Sequence, residues 1–578
     1  MTTVSAHLPA DEQTGLQDLT ALSGPAAAAG DSISVATWTI VSRATGVAKF
    51  AAIGAVLGPT FFGNTYQFTN SLPNLVYYGI LAGSLLSSLL VPALVRHIDA
   101  GDRKASERIA GGFLGITMLA MCVVAPVAML LGPLVLRFAA ASGSEAVGAA
   151  QAQVGRWLII MFIPQIFFYG IVAAATAVMN ARRRFALPAA APAIENIGII
   201  IVLAATAVLY GGGTHLGSVP TGELLLLGLG TTCAVALHAA VQWWGAARAG
   251  VTLVPRSGWR DPEVRIIVRR ALPAIAQAAL AALQVLTLLI LANGVAGGVV
   301  AFQMALNFYY LAIALGATPV ALSLLPRLSR MHLSGDEGLF RDTLARGFAL
   351  GLFVTIPAAV GYLVLAEPIA QAISFGKMGS PAGVTMVAVS IAALSVAVVA
   401  QTVFMIATYA SYARMDVRTP LISMGMQAVV CLGLVGLAEL THGPTMLAVL
   451  GLAFSIAIIV GASTLLINLR RQLRGATATA ASRPQPVATE RPSLSLIKVV
   501  VGAAVMVVPA WFTAHFIPDL IGGQLGAVIG ITAAALVGAA VFVAVQTLWK
   551  TPELGWIAGG FGKAGRKARS TIAGVAHE

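Results

Sequence analysis

Long apolar runs recur along almost the whole chain, and no other feature limits its fold so severely. An α-helix crosses a bilayer with roughly 20 mostly apolar residues. Runs of that kind lie near residues 35–57, 73–95, 110–136, 154–179, 188–210, 223–247, 267–293, 299–325, 344–366, 385–411, 420–440, 444–469, 494–516 and 524–548, fourteen in all. Only 10% of the 578 residues are charged and 58% are hydrophobic, whereas a soluble domain is about a quarter charged. A soluble enzyme, a disordered chain and a secreted disulfide scaffold are thereby excluded together. The expected fold is an all-α polytopic membrane protein with fourteen transmembrane helices.

The distribution of charge orients those helices. A net charge of +13 in a soluble chain would point to nucleic acid. Here 30 of the 35 Lys and Arg fall in the loops or tails at 96–108, 182–184, 248–270, 327–346, 414–418, 470–498 and 550–569. All of these lie on one side if the N-terminus is cytoplasmic, as the excess of Lys and Arg in cytoplasmic loops requires. Both termini are therefore expected in the cytoplasm, with no nucleic-acid partner. Arg137, Arg156 and Lys377 lie at the opposite side, and Arg43 and Lys49 lie inside the first run. Cys122, Cys233 and Cys431 sit in apolar runs without metal-ligand spacing and read as small hydrophobes.

Two short motifs repeat at nearly constant offset. Val91-Pro92-Ala93-Leu94-Val95-Arg96 with Gly101-Asp102 is echoed by Leu325-Pro326-Arg327-Leu328-Ser329-Arg330 with Gly335-Asp336. Asn180-Ala181-Arg182 with Pro188 is echoed by Tyr412-Ala413-Arg414 with Pro420. The echoes follow the second and fourth runs of each half. Six spans per repeat is an even number, so the halves enter the membrane the same way round, as a parallel pseudo-repeat. The expected layout is a flexible N-terminal tail (1–32), an N-lobe of six helices (33–250), a C-lobe of six (251–470), a cytoplasmic linker (471–493), two extra helices (494–548) and a basic C-terminal tail (549–578). Two lobes around a cavity is a transporter architecture. No P-loop, paired cytoplasmic carboxylates or His/Cys cluster is present, so neither enzyme activity nor a cofactor or metal is expected.

The informative residues are charges inside spans, which are costly in lipid and usually face a cavity or a partner. Arg43 and Lys49 are six residues apart, about 120° around a helix and about 9 Å along it. Both can reach a wide cavity, where Arg can grip a phosphate through two hydrogen bonds. The alternative is pairing with Glu195, the one clear mid-span carboxylate. Glu195 could instead carry a coupling proton. Uncharged polar groups, among them Asn64, Asn70, Asn74, Gln165, Asn196, Gln284, Gln303, Asn307 and Gln401, offer cavity lining or contacts between helices. His238 reads as a hydrogen-bonded interior residue. Prolines such as Pro73, Pro164, Pro188, Pro192 and Pro420 free backbone carbonyls and bend helices, for gating or for packing.

Several of these stretches, in order, resemble the MurJ (MviN) lipid II flippases of the multidrug/oligosaccharidyl-lipid/polysaccharide exporter superfamily. They are Ser42-Arg43-Ala44-Thr45-Gly46 with Gly58 and Leu72-Pro73-Asn74-Leu75; Pro164; Asn180-Ala181-Arg182 with Phe185-Ala186-Leu187-Pro188 and Pro192 to Asn196; Leu325 to Arg330; Phe375-Gly376-Lys377; and Tyr412-Ala413-Arg414-Met415-Asp416-Val417-Arg418-Thr419-Pro420. The resemblance covers residues 33 to 470. It implies a flippase of the bacterial plasma membrane that carries a polyprenyl-phosphate-linked glycan or cell-wall lipid precursor from the inner to the outer leaflet by alternating access. The cavity residues it implies are Arg43, Lys49, Asn64, Asn74 and Asn307. Pro73, Pro164, Asn196, Arg414, Asp416 and Pro420 belong to its gating or structural motifs.

This chain also departs from that family. Lys49 stands for an Arg, and Asn64 for an acidic residue. The Arg after the Pro-Asn-Leu-Leu motif is replaced around Tyr77 or Tyr78, and an Ala-Asp-Arg triplet reads Ala305-Leu306-Asn307. The sodium-binding carboxylates of some members have no counterpart; Gln277, Gln284 and Gln427 are the nearest polar residues. A cavity with fewer cations suits a monophosphate or a smaller headgroup. Two other readings remain open: a drug/cation antiporter of the same superfamily, which would lean on Glu195, and a non-transporting lipid-binding scaffold for cell-wall synthesis enzymes. Membrane lipids are partners under every reading.

Overall fold

A computed structural model describes residues 25–77, 84–139, 145–477 and 492–556. Every regular element among them is helical. In chain order they are α1 (Pro25–Leu57), α2 (Phe61–Val76), α3 (Ser84–Asp99), α4 (Arg103–Ala139), α5 (Glu145–Phe162), α6 (Pro164–Ala181), α7 (Ala186–Tyr210), α8 (Thr221–Arg248), α9 (Pro262–Ala292), α10 (Gly298–Ala312), α11 (Thr318–Leu333), α12 (Glu337–Val364), α13 (Ala366–Ile373), α14 (Pro381–Ala413), α15 (Arg418–Val435), α16 (Pro444–Thr477), α17 (Pro492–Ile521) and α18 (Gly523–Leu548). Short 3-10 turns and one π turn, Ile313–Ala317, link some of them. The π turn joins α10 to α11 just before Pro319, which has no N–H to offer a regular helix.

Among the described residues, thirteen spans are long and apolar enough to cross a membrane. The expected crossing at 73–95 includes residues 78–83, which lie outside the described residues, with α2 described before them and α3 after. Its helix begins twelve residues before the apolar run. Thr60 caps α2 by accepting from the Gly63 N–H at 2.9 Å, and Asn64, Thr65, Gln67, Thr69, Asn70 and Ser71 are all buried. This turn faces protein, so apolarity could not mark its start. The expected tails at 1–32 and 549–578 and the linker at 471–493 lie largely outside the described residues.

The repeat is visible in backbone geometry. Gly101 and Gly335, 234 residues apart, both have positive φ, +70° and +72°. Around them the same bonds recur: Asp102 N to His97 O and Asp336 N to Met331 O, then Ala105 N to Asp102 Oδ1 and Leu339 N to Asp336 Oδ1. Likewise Arg183 and Met415, 232 apart, take φ of +56° and +60°, where few non-glycine residues go. Arg184 N to Met179 O matches Asp416 N to Ser411 O.

In the first half α1 packs on α7, α7 and α6 on α8, α3 on α6, and α4 on α5. In the second half α14 packs on α16, α12 and α10, and α15 on α16 and α9. Helices α17 and α18 pair with each other and sit outside this arrangement, α17 on α12 and α18 on α13. Phe353 and Phe542 meet at 5.1 Å between ring centroids across that junction.

The halves touch at both ends of the bundle. At the end bearing the basic loops, ionic contacts join α3 and α4 to the start of α9. Arg96 and His97 reach Glu263 at 3.1 and 3.2 Å, and Arg108 binds Asp261. At the far end the contacts are mostly uncharged. Asn64 donates to the Val295 carbonyl at 2.7 Å and accepts from the Val299 N–H at 3.0 Å. Gln151 and Asn293 exchange two amide bonds of 3.1 and 3.0 Å, and Gln303 donates to Ser71 at 2.7 Å. Two glycines allow the backbones to meet here. Gly297, at φ +78°, lies where any Cβ would collide with Pro59, and Gly376, at φ +58°, would place a Cβ 2.7 Å from the Ala55 carbonyl.

Candidate substrate site between the lobes

Helix α1 runs between the two contact zones and carries both mid-span cations. Between them Gly46 leaves room for two polar neighbours: a Cβ there would lie 3.6 Å from Asn196 Nδ2 and 3.9 Å from Asn307 Oδ1. Asn196 on α7 donates to the Ser42 carbonyl at 3.3 Å and to Thr45 Oγ1 at 3.2 Å, tying α7 to α1. Asn307 on α10 comes from the other half and is half-buried. Arg43 is exposed and has no hydrogen-bond or ion-pair partner among the described residues. Lys49, half-buried, holds its ammonium 5.1 Å from the Phe50 ring centroid.

Glu195 is buried near Lys49. Its Oε1 accepts from the Tyr169 hydroxyl at 3.1 Å, and its Oε2 lies 2.9 Å from His238 Nδ1. The contact partner of the mid-span carboxylate is therefore the histidine. Lys49 is close enough to interact with Glu195 electrostatically but forms no contact pair with it. With Nδ1 donating to the carboxylate, His238 Nε2 is buried without a hydrogen-bond partner among the described residues. Tyr77 stacks on Tyr169 at 5.0 Å, where the family resemblance would place an arginine; Tyr78 lies outside the described residues.

The remaining residues singled out in the sequence lie elsewhere. Asn64 is fully buried in the far-end contact and turns no free group inward. Asn74 donates to the Asn70 carbonyl on its own helix at 3.3 Å, and Pro73 is buried within α2. Pro164 opens α6 after a break at Ile163 that divides one span into α5 and α6. Arg414 ends α14 and bonds both oxygens of Glu337, at 2.9 and 2.8 Å. Asp416 caps α15, accepting from the Arg418 and Thr419 N–H groups at 3.0 Å each, from Thr419 Oγ1 at 2.6 Å and from Gln472 at 2.9 Å. Burial pushes this carboxyl up, but the bonds from Thr419, Gln472 and Arg418 outweigh it and hold it below the usual aspartate value. Pro420 is buried in the first turn of α15. No metal-binding group of His, Cys, Asp or Glu occurs among the described residues.

An apolar groove of about 520 Å³ lies between α10, α12, α17 and α18, with Phe308, Phe353, Tyr362, Met506 and Phe542 on its walls.

The family profile of MurJ, described as lipid II flippase MurJ, matches residues 53–522. The chain belongs to the MurJ family. Family membership makes it a multi-pass membrane transporter rather than an enzyme. Similar proteins include a probable lipid II flippase MurJ of Rhizobium meliloti, 25% identical over 473 residues, which span 82% of this chain and 85% of the relative. A lipid II flippase MurJ of Burkholderia cenocepacia is 26% identical over 399 residues, 67% and 74% of the two chains. Among solved structures, a lipid II flippase MurJ in an inward closed conformation superposes with a TM-score of 0.66 at 17% identity, covering 89% of this chain and 98% of that one. An inward-facing multidrug resistance transporter of the MATE family gives 0.60 at 14% identity, covering 78% and 99%. At these identities the two likenesses speak for the fold alone.

Proposed function

We propose that this protein carries a polyprenyl-phosphate-linked saccharide, a lipid II-like precursor or one with a smaller headgroup, from the inner to the outer leaflet of the bacterial plasma membrane. The observation that carries the reading is the unpartnered Arg43 on α1, close to Lys49 and to the Asn196–Asn307 junction between the halves. An anionic headgroup supplies what that guanidinium lacks, since Arg holds phosphate through paired charge-assisted bonds. The end with the basic loops is cytoplasmic by the excess of Lys and Arg there. The apolar groove against α17 and α18 suits a lipid tail kept outside the polar interior. Alternating access would break the ionic contacts at one end and the amide contacts at the other in turn.

A monophosphate or compact headgroup fits the scarcity of cations better than an unmodified diphosphate muropeptide. A scaffold has no need of contact zones at both ends of a cation-bearing interior, and a cation antiporter would not need Arg43. Mass spectrometry of lipids that co-purify with the full-length protein tests the reading. A polyprenyl-phosphate lipid is expected with the wild type and depleted in Arg43→Ala. No such lipid, or equal amounts in both, would overturn it.

A further inference from the structure

Arg137, at the end of α4, and Arg156, on α5, line one cavity of about 420 Å³ together with Pro133, Leu134, Ile159 and Ile160. The cavity opens onto a strongly apolar surface: Leu130 and Trp157 beside it are 72% and 56% exposed. Neither guanidinium has a carboxylate partner among the described residues. Such a pair runs against the charge distribution of the whole chain, since only Lys377 joins them at the far end of the bundle. An unpaired arginine on a lipid-facing surface is costly and calls for an anion.

Contacts give the depth of the pair. Gln151 on α5 reaches Asn293, just past the end of α9, and the Phe61 carbonyl at the start of α2, and so lies in the buried far-end contact between the halves. Arg156 follows five residues later, about 7.5 Å deeper along the helix. A Cβ on Gly155 would run into Leu136, so the residue before Arg137 stands at the level of the residue before Arg156. Trp157 beside them is a side chain that favours the headgroup region. Two forked donors at headgroup depth above an apolar wall match one lipid phosphate and its acyl chain.

We propose that Arg137 and Arg156 form a binding site for the phosphate of an anionic phospholipid in the leaflet at the far end of the bundle, which is the outer leaflet on the orientation given above. The chain of that lipid lies along Leu134 and Ile160. This site is separate from the inter-lobe cations and does not depend on what the protein transports.

The test uses full-length protein reconstituted in phosphatidylcholine vesicles with a minor share of phosphatidylglycerol, then extracted gently and analysed by native mass spectrometry. Wild type is expected to retain phosphatidylglycerol well above its share of the bilayer. In Arg137→Gln/Arg156→Gln that enrichment should fall by about tenfold, since charge-assisted bonds of this kind are worth at least that factor. Equal retention by the two proteins, or no enrichment in the wild type, would overturn the proposal. Preferential retention of an added polyprenyl phosphate over phosphatidylglycerol would overturn the choice of ligand. If the double variant does not fold, Arg156→Lys keeps the charge and loses the fork, and its retention should still fall below wild type; unchanged retention would count against the site.

Discussion

Replacing Asn64 by alanine should loosen the far-end contact between the halves while leaving the basic end closed. The Asn64 carboxamide satisfies two backbone groups of the facing half, the Val295 carbonyl at 2.7 Å and the Val299 N–H at 3.0 Å, and it is fully buried. With alanine the Val299 N–H stays buried and unpaired while the seam is closed and reaches water when it opens, whereas the Val295 carbonyl keeps its bond from the Gly298 N–H at 2.8 Å. An orphaned buried polar group costs about 1–3 kcal/mol. One such group raises the closed state by about 1–3 kcal/mol relative to the open one, a shift of about fivefold at the low end. Asn64→Asp should lie between alanine and wild type, since a carboxylate can accept from Val299 but cannot donate to Val295. Spin labels on exposed far-end positions, Ser218 and His442, report the opening by pulsed electron resonance. A longer, repopulated distance in the alanine variant is expected. A folded variant with the wild-type distribution would refute the argument that this amide holds the seam.

The basic end should respond to salt and the far end should not, because Arg96 and Arg108 with Glu263 and Asp261 are partly exposed ion pairs and are screened within about 8 Å at physiological ionic strength. Labels across α3 and α9 should therefore move apart as salt is raised, while the Ser218–His442 distance stays fixed. Gly297→Ala should prop the far end open, since its Cβ meets Pro59 and its φ of +78° is strained for alanine; the same distance measurement reads it. The Asp416 carboxyl is held below its ordinary value of 3.8, so its stabilisation is in full force above that pH and is lost as pH falls through the lowered value. Asp416→Ala should lower thermal stability at neutral pH by about 0.5–2 kcal/mol, the worth of a lost cap, and the gap to wild type should narrow in strong acid. An unchanged gap at low pH would count against the capping carboxylate.

Much of the architecture could be read before any coordinates. Apolar runs marked thirteen of the spans, because lipid-facing helix surface must be apolar whatever it packs against. The repeat showed in short echoes because Gly101 and Gly335, and the turns at Arg183 and Met415, need the same unusual backbone in both halves. The start of α2 escaped notice for the opposite reason. Its first two and a half turns are buried against protein and can be polar, so no apolar run marks Phe61 to Asn70 although they are helix.

The site was legible in part. Arg43, Lys49 and Glu195 stood out as charges within spans, and Asn196 and Asn307 as polar residues near them. Pairing was not legible: Tyr169 and His238 come to Glu195 from α6 and α8, 26 and 43 residues away, and no periodicity links such positions. The resemblance aligns Asn64 with a cavity residue, yet its bonds run to the backbone between α9 and α10. The Gln151–Asn293 exchange had no sequence signal, since each amide alone looks like an ordinary helix-end residue.

The central claim is that the inter-lobe cations move an anionic lipid headgroup across the bilayer. Proteoliposomes with a fluorescent polyprenyl-phosphate saccharide in one leaflet, and a membrane-impermeant quencher outside, measure this directly. Wild type should transfer the label between leaflets, and Arg43→Ala should lose most of that rate with its fold and insertion intact. Transfer unaffected by Arg43→Ala, or none by well-folded wild type, would contradict the account.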